Sequence, residues 1–161
     1  MSDSHSATSS PKMVDISKKP VVRRRAVAEG TIILERSTLE LISGGKIEKG
    51  DPLQIASIGA IQAVKSTPSS LMLCHPIQIE AASVHFEKGK ESITVRVDVT
   101  ADSKTGVEME ALNAVSCALL NIWDVVKKYE KDQNGQYPNS RIENIHVIRK
   151  IKDGNRKDGS K

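Results

Sequence analysis

Apolar side chains recur at steps of three and four through Leu112, Val115, Leu119, Ile122, Val126 and Tyr129. That repeat stacks them on one face of an α-helix. At about 100° per residue, Glu110, Asn113, Cys117, Asn121, Asp124 and Lys128 fall on a second stripe, with Lys127 beside it. Its middle is small (Asn113, Ala114, Cys117, Asn121) where a solvated face would carry long charged side chains, so a packing partner is expected there as well. Upstream, Ile93, Val95, Val97 and Val99 alternate strictly with Thr94, Arg96, Asp98 and Thr100. Before them come the alternating Ile77, Ile79 and Ala81, then Val84, Phe86 and the turn Lys88-Gly89-Lys90-Glu91, which together predict a hairpin with one buried and one polar face.

The remaining elements follow from local signals. Ala26 to Leu34 reads as a first strand and about Glu143 to Ile151 as a last one, with Ile145, Val147 and Ile151 on one face. Ser37 with Glu40 three residues on is a capping box, predicting a short helix through Leu39 and Ile42 to the Gly44-Gly45 stop. Asp51-Pro52 opens a longer helix, with Ile55, Ile58, Ile61 and Val64 on one face and its end before Pro68. The order strand, helices, strand, strand, helix, strand predicts an α+β fold, the ferredoxin-like split βαβ arrangement, with an antiparallel sheet and helices packed on one face.

Composition narrows this picture. A chain of 161 residues fits one domain, and with one Phe, one Trp and two Tyr its core must be built from Ile, Val, Leu and Ala. Residues 1–12 are Ser-rich with little to bury and are expected to be a disordered tail; residues 153–161 are expected to be another, leaving a single catalytic domain at 13–152. The net charge of +4 and pI near 9.1 permit a polyanionic ligand without demanding one. Two cysteines, Cys74 and Cys117, are too few for a disulfide framework and fit a reducing compartment. The longest uncharged runs, 52–64 and 111–123, fall short of the ~20 residues a membrane span needs, and the N-terminus has no apolar leader. The expectation is a cytoplasmic protein that meets no membrane.

Candidate chemistry is scattered along the chain. His75, in Leu73-Cys74-His75-Pro76, sits where a proline fixes the backbone, although a lone loop His is more often an ordinary surface residue. Cys74 and His75 lack a second pair at zinc-ligand spacing. Lys49 precedes a helix start, where backbone N–H groups favour anions. The cluster Lys18, Lys19, Arg23, Arg24 and Arg25 reads as a phosphate clamp or a plain basic arm. Glu108 and Glu110 open the long helix, where acids suit its dipole, and Asp124 with Lys127 has ion-pair spacing. Nucleic acid is the rival ligand, but the expected sheet lacks the stacking aromatics of ferredoxin-like RNA binders.

Six motifs in fixed order carry a resemblance: Met13-Val-Asp-Ile-Ser-Lys-Lys, Lys49-Gly-Asp, Ile61-Gln-Ala-Val-Lys, Leu73-Cys-His-Pro, Lys104-Thr-Gly-Val-Glu-Met-Glu-Ala-Leu and Ile122-Trp-Asp-Val-Val-Lys. Through them the chain resembles molybdenum cofactor biosynthesis protein C, the cyclic pyranopterin monophosphate synthase family, especially its archaeal forms. The resemblance implies a lyase that rearranges (8S)-3',8-cyclo-7,8-dihydroguanosine 5'-triphosphate to cyclic pyranopterin monophosphate and releases diphosphate. No cofactor and no metal are implied. It implies that Asp124 is the catalytic acid/base with Lys127 and Lys49 as partners in proton transfer, a task that suits lysines whose pKa is lowered. Leu73, Cys74, His75, Met109 and Glu110 would line the substrate pocket beside Glu108, and Asp15, Lys19 and Arg24 match the N-terminal motif, the two cations meeting the triphosphate. Family members are hexamers, trimers of dimers with sites at the dimer interface, so a homo-oligomer without nucleic acid is expected, with the small stripe Asn113, Ala114, Cys117 and Asn121 letting the long helix lie antiparallel on its two-fold copy. A non-catalytic nucleotide- or RNA-binding ferredoxin-like module is the alternative. Two departures stand out: Val22 replaces a frequent Thr, and Ile151-Lys-Asp-Gly-Asn stands where bacterial members end Gly-Gly-Lys-Ser-Gly.

Overall fold

The computed structural model describes residues 10–153. Apart from residues 10–12 and 153, the two expected tails lie outside the described residues. Strands β1 (Val22–Ile33), β2 (Ala81–Lys88), β3 (Ser92–Ser103) and β4 (Arg141–Lys152) form one sheet in the order β2-β3-β1-β4, every neighbouring pair antiparallel. Helices α1 (Arg36–Ser43), α2 (Pro52–Lys65) and the single turn α3 (Thr67–Ser70) connect β1 to β2, and α4 (Glu108–Val126) connects β3 to β4. This is the ferredoxin-like split βαβ fold. Helix α4 lies across β1 and β3, with α2 beside it reaching β2.

Between sheet and helices, Ala26, Ala28 and Ile32 of β1 and Ile93, Val95, Val97, Val99 and Ala101 of β3 meet Ala111, Ala114, Val115, Ala118, Leu119, Ile122 and Val126 of α4, all fully buried. The strict alternation on β3 is the one seen in the sequence. A Cβ added at Gly30 would lie 2.9 Å from side-chain carbons of Val115, Leu119 and Ile145, so glycine lets α4 settle onto the β1 backbone. Helix α4, 19 residues long, is apolar enough by length and composition to cross a membrane, although the uncharged run within it is shorter. About half of it is buried inside the fold, where it serves as the central core helix.

The second stripe of α4 has a partner, but it is α2 of the same chain and not the two-fold copy expected. The Asn113 side-chain amide donates to the Ala63 carbonyl (3.0 Å), Cys117 Sγ reaches the Gly59 carbonyl at 3.4 Å, and a Cβ on Gly59 would strike the Asn121 amide at 2.6 Å. This close approach also explains why α2 does not bury the expected Ile face. Ala56, Ala60, Ala63 and Val64 are inside, and Ile58 is 73% exposed, because small residues are what let two helices meet at short range.

Other boundaries differ for identifiable reasons. The capping box on Ser37 does not form: Glu35 is the N-cap and uses no side chain of its own. Instead the buried Glu130 carboxylate accepts the Glu35 N–H at 3.1 and 3.2 Å, and Glu40 turns to Arg36. The cap on α2 is as expected, Asp51 accepting from Leu53 N–H at 2.8 Å and Gln54 N–H at 3.3 Å. Ile77 and Ile79 pack on the core but precede β2. Strand β1 begins at Val22 rather than Ala26, which places the arginine cluster on a strand.

Candidate active site

Two groups of side chains stand at opposite ends of α4. At its C-terminal end Asp124 bridges two lysines: Lys127 Nζ donates to Oδ1 at 2.7 Å, and Lys49 Nζ donates to Oδ2 at 2.8 Å and to the Asp124 carbonyl at 3.0 Å. The first pair follows from helix spacing. The second depends on the loop between α1 and α2, where buried Ile47 anchors the chain, Gly50 at φ 106° closes a turn onto the Ile47 carbonyl, and Asp51 starts α2. Hydrogen bonds from Lys127 and then Lys49 hold the Asp124 carboxyl down at about 2, and Asp124 in return raises Lys127. This reverses the expected lowering of the Lys127 pKa, since a bound carboxylate favours the charged ammonium. The cluster faces solvent, and Leu120, Trp123 and Ile142 form an apolar shelf beside it, with Trp123 edge-on to Tyr137 at 5.6 Å.

At the N-terminal end lies a cleft of about 380 Å³, in which Leu73, Cys74, His75, Met109, Glu110 and Lys19 come together. Residues 12–19 form one wall, pinned where Lys104 Nζ donates to the Ser17 carbonyl at 3.0 Å. Asp15 closes a tight turn there, accepting the Ser17 N–H at 2.8 Å; that bond, helped by Lys104 and His75, lowers its pKa. Glu110 is the unusual group. It is only 2% exposed, and its Oε2 has no hydrogen-bond partner among the described residues. Burial, with a smaller push from Glu108, raises its pKa; burial and then the Glu110 charge raise Cys74.

Some expected members stand elsewhere. The period of two along β1 splits the arginine cluster, so it is not one clamp. Arg24 donates to the Ser103 and Lys104 carbonyls at 3.0 and 3.1 Å, bracing the loop that enters α4. Arg23 and Arg25 lie on the other face of the sheet, paired with Glu80 and Asp98. A concavity of about 460 Å³ opens there, but both of its arginines are already paired and it holds none of the motif residues. Glu108 pairs with Lys150 of β4. Lys150 went unnoticed in the sequence because only strand pairing brings it to α4. Among the described residues no three His, Cys, Asp or Glu side chains gather as metal ligands would.

Glu110 and Asp124 are 14 positions apart on α4, which at about 1.5 Å per residue is ~21 Å. One small ligand cannot touch both within one chain.

Comparison with known proteins supplies the context. A model of the MoaC family matches residues 13–153. A Pyrococcus horikoshii protein named probable cyclic pyranopterin monophosphate synthase is 54% identical over 144 residues, covering 89% of this chain and 91% of that one. A Thermococcus kodakarensis protein of the same name is 52% identical, covering 88% and 90%. One from Methanothermobacter thermautotrophicus, 52% identical and covering 92% and 93%, is named a probable accessory protein of that synthase.

Proposed function

The chain belongs to the MoaC family, and from that premise we propose that it is a cyclic pyranopterin monophosphate synthase, a lyase of molybdenum cofactor biosynthesis. Its substrate would be the cyclised dihydroguanosine triphosphate and its products cyclic pyranopterin monophosphate and diphosphate. The observation that carries this reading is the identity of more than half of the aligned residues to relatives bearing that name, with Leu73, Cys74, His75, Met109 and Glu110 in the cleft and Lys49 and Lys127 on Asp124 in support.

The geometry suits the chemistry. A guanine-derived ring presents N–H donors along one edge, and Oε2 of the buried Glu110, which has no partner among the described residues, is an acceptor suited to them. At the other end a sugar hydroxyl must attack the innermost phosphate: its oxygen–phosphorus bond forms, the bond to the diphosphate oxygen breaks, and the hydroxyl proton leaves to a base. With its pKa held near 2, Asp124 is a weak base while both lysines hold it. An arriving triphosphate competes for Lys49 and Lys127, and each hydrogen bond drawn away raises the proton affinity of the carboxylate. Substrate binding thereby arms the base.

Because ~21 Å of helix separates Glu110 from Asp124, we place the complete site between two copies of the chain in a homo-oligomer, a hexamer built as a trimer of dimers. The small stripe of α4 is already covered by α2, so copies would meet on the free side of α4, where Met109 and Leu120 are exposed. The setting is cytoplasmic. The alternative of a nucleotide- or RNA-binding module finds no support, since the open sheet face presents paired arginines rather than stacking aromatics.

Diphosphate release from the cyclised nucleotide tests the assignment. Asp124→Asn should abolish it while leaving the fold intact; normal turnover in that variant would sink the assignment of Asp124.

A further inference from the structure

We propose that Tyr129 is a positioning residue, its hydroxyl holding the loop of Lys49 so that the ammonium stays on Asp124. The Tyr129 hydroxyl accepts the backbone N–H of Glu48, the residue before Lys49, at 3.1 Å. Tyr129 itself stands in the turn that ends α4, its own N–H donating to the Val126 carbonyl at 2.8 Å, and its ring packs on the core. The neighbouring Lys128 adds a second grip, pairing with the Glu48 carboxylate while its ammonium lies 5.0 Å from the Tyr129 ring centre. The end of α4 that presents Asp124 and Lys127 therefore also holds the backbone from which Lys49 reaches them.

Lys49 needs such a hold. Its stem is long and flexible, the Asp124 pair is exposed, and exposed pairs of this kind are weak unless their geometry is fixed. Ile47 anchors the loop on one side and the Gly50 turn on the other, leaving Glu48 and Lys49 between them. Catalytic groups displaced by about 1 Å can lose as much as two orders of magnitude in rate.

The role for turnover rests on the proposed function, and the test separates the two. Tyr129→Phe removes one oxygen and keeps the ring. Asp124 is faced by Lys49 from the loop and Lys127 from its own helix, so its titration reports on both. The carboxyl carbon of Asp124 is followed by NMR from pH 6 to pH 3, in full-length wild type, Tyr129→Phe, Lys49→Met and the double variant. Wild type should stay ionised throughout. Tyr129→Phe should begin to protonate within that range, and the double variant should match Lys49→Met. In the diphosphate assay Tyr129→Phe should lower kcat about tenfold with KM changed less than about twofold, a loss confined to chemistry. An unmoved titration, or an equal further shift in the Lys49→Met background, overturns the proposal. A moved titration with unchanged kcat overturns the role in turnover. Failure of the site reading itself shows separately, as retained activity in Asp124→Asn.

Discussion

Glu110 is badly placed for stability, and under the proposed function the same placement serves binding. Its carboxylate is buried with one oxygen unpaired among the described residues, and burial raises its pKa above the usual 4.5. An acid whose folded pKa is raised contributes most to stability below its unfolded pKa, and that contribution is lost as pH rises through the folded value. As pH rises above the unfolded value, the fold bears the growing cost of keeping this acid in a buried place. Glu110→Gln should therefore be more stable than wild type at pH 8 by about 1 kcal/mol, with the gap closing towards pH 4. Urea unfolding at both pH values measures it, and a gap independent of pH would contradict the burial argument. Asp124 behaves oppositely: its pKa is lowered by its lysines, so any contribution is present above its unfolded value and lost as pH falls towards 2. The sequence could mark both carboxylates through their motifs. It could not show that one is buried without a partner and the other locked in a lysine pair, because Lys49 arrives from 75 residues away.

At the scale of elements, periodicity carried the reading furthest where one face is decided locally. The alternation of β3 and the apolar arc of α4 are in the structure as they are in the sequence, because each meets a broad apolar surface. It failed where a particular neighbour decides. The isoleucines of α2 outrank its alanines by hydrophobicity, yet the alanines and Gly59 face α4, since only small residues permit that approach. Likewise the Ser37 capping box lost to Glu130, which reaches the start of α1 from the far end of the chain. Gly30 is a sharper instance of close approach. Three side-chain carbons, two of them from the core, surround its missing side chain, so the methyl of Gly30→Ala presses on α4 and β4, and overpacking of this kind costs about 1–3 kcal/mol. Denaturant unfolding should find Gly30→Ala destabilised within that range; an unchanged midpoint would mean that Val115, Leu119 and Ile145 can repack freely.

At the scale of the whole molecule, the length of α4 separates the two groups to which the proposed function assigns the chemistry. A ferredoxin-like fold puts its central helix across the sheet, so groups at the two ends of that helix stay ~21 Å apart however the loops adjust. The cleft around Glu110 holds Cys74 and His75 but no member of the Asp124 cluster, and that cluster sits on an open apolar shelf. Two copies related by a two-fold axis would supply each half to the other, and the free side of α4, with Leu120 61% exposed beside Trp123, leaves an apolar surface for the meeting. If each site takes Glu110 from one copy and Asp124 from the next, the variants Glu110→Ala and Asp124→Asn are inactive alone for different reasons. Mixed under conditions that exchange subunits, they should regain about one quarter of wild-type activity, since half of the sites draw Glu110 from an Asp124→Asn chain and half of those draw Asp124 from a Glu110→Ala chain. Mass spectrometry of isotopically labelled subunits verifies the exchange. Recovery near one quarter supports the shared site; no recovery after complete exchange shows that each chain works alone, and then Glu110 and Asp124 cannot serve one substrate at the same moment.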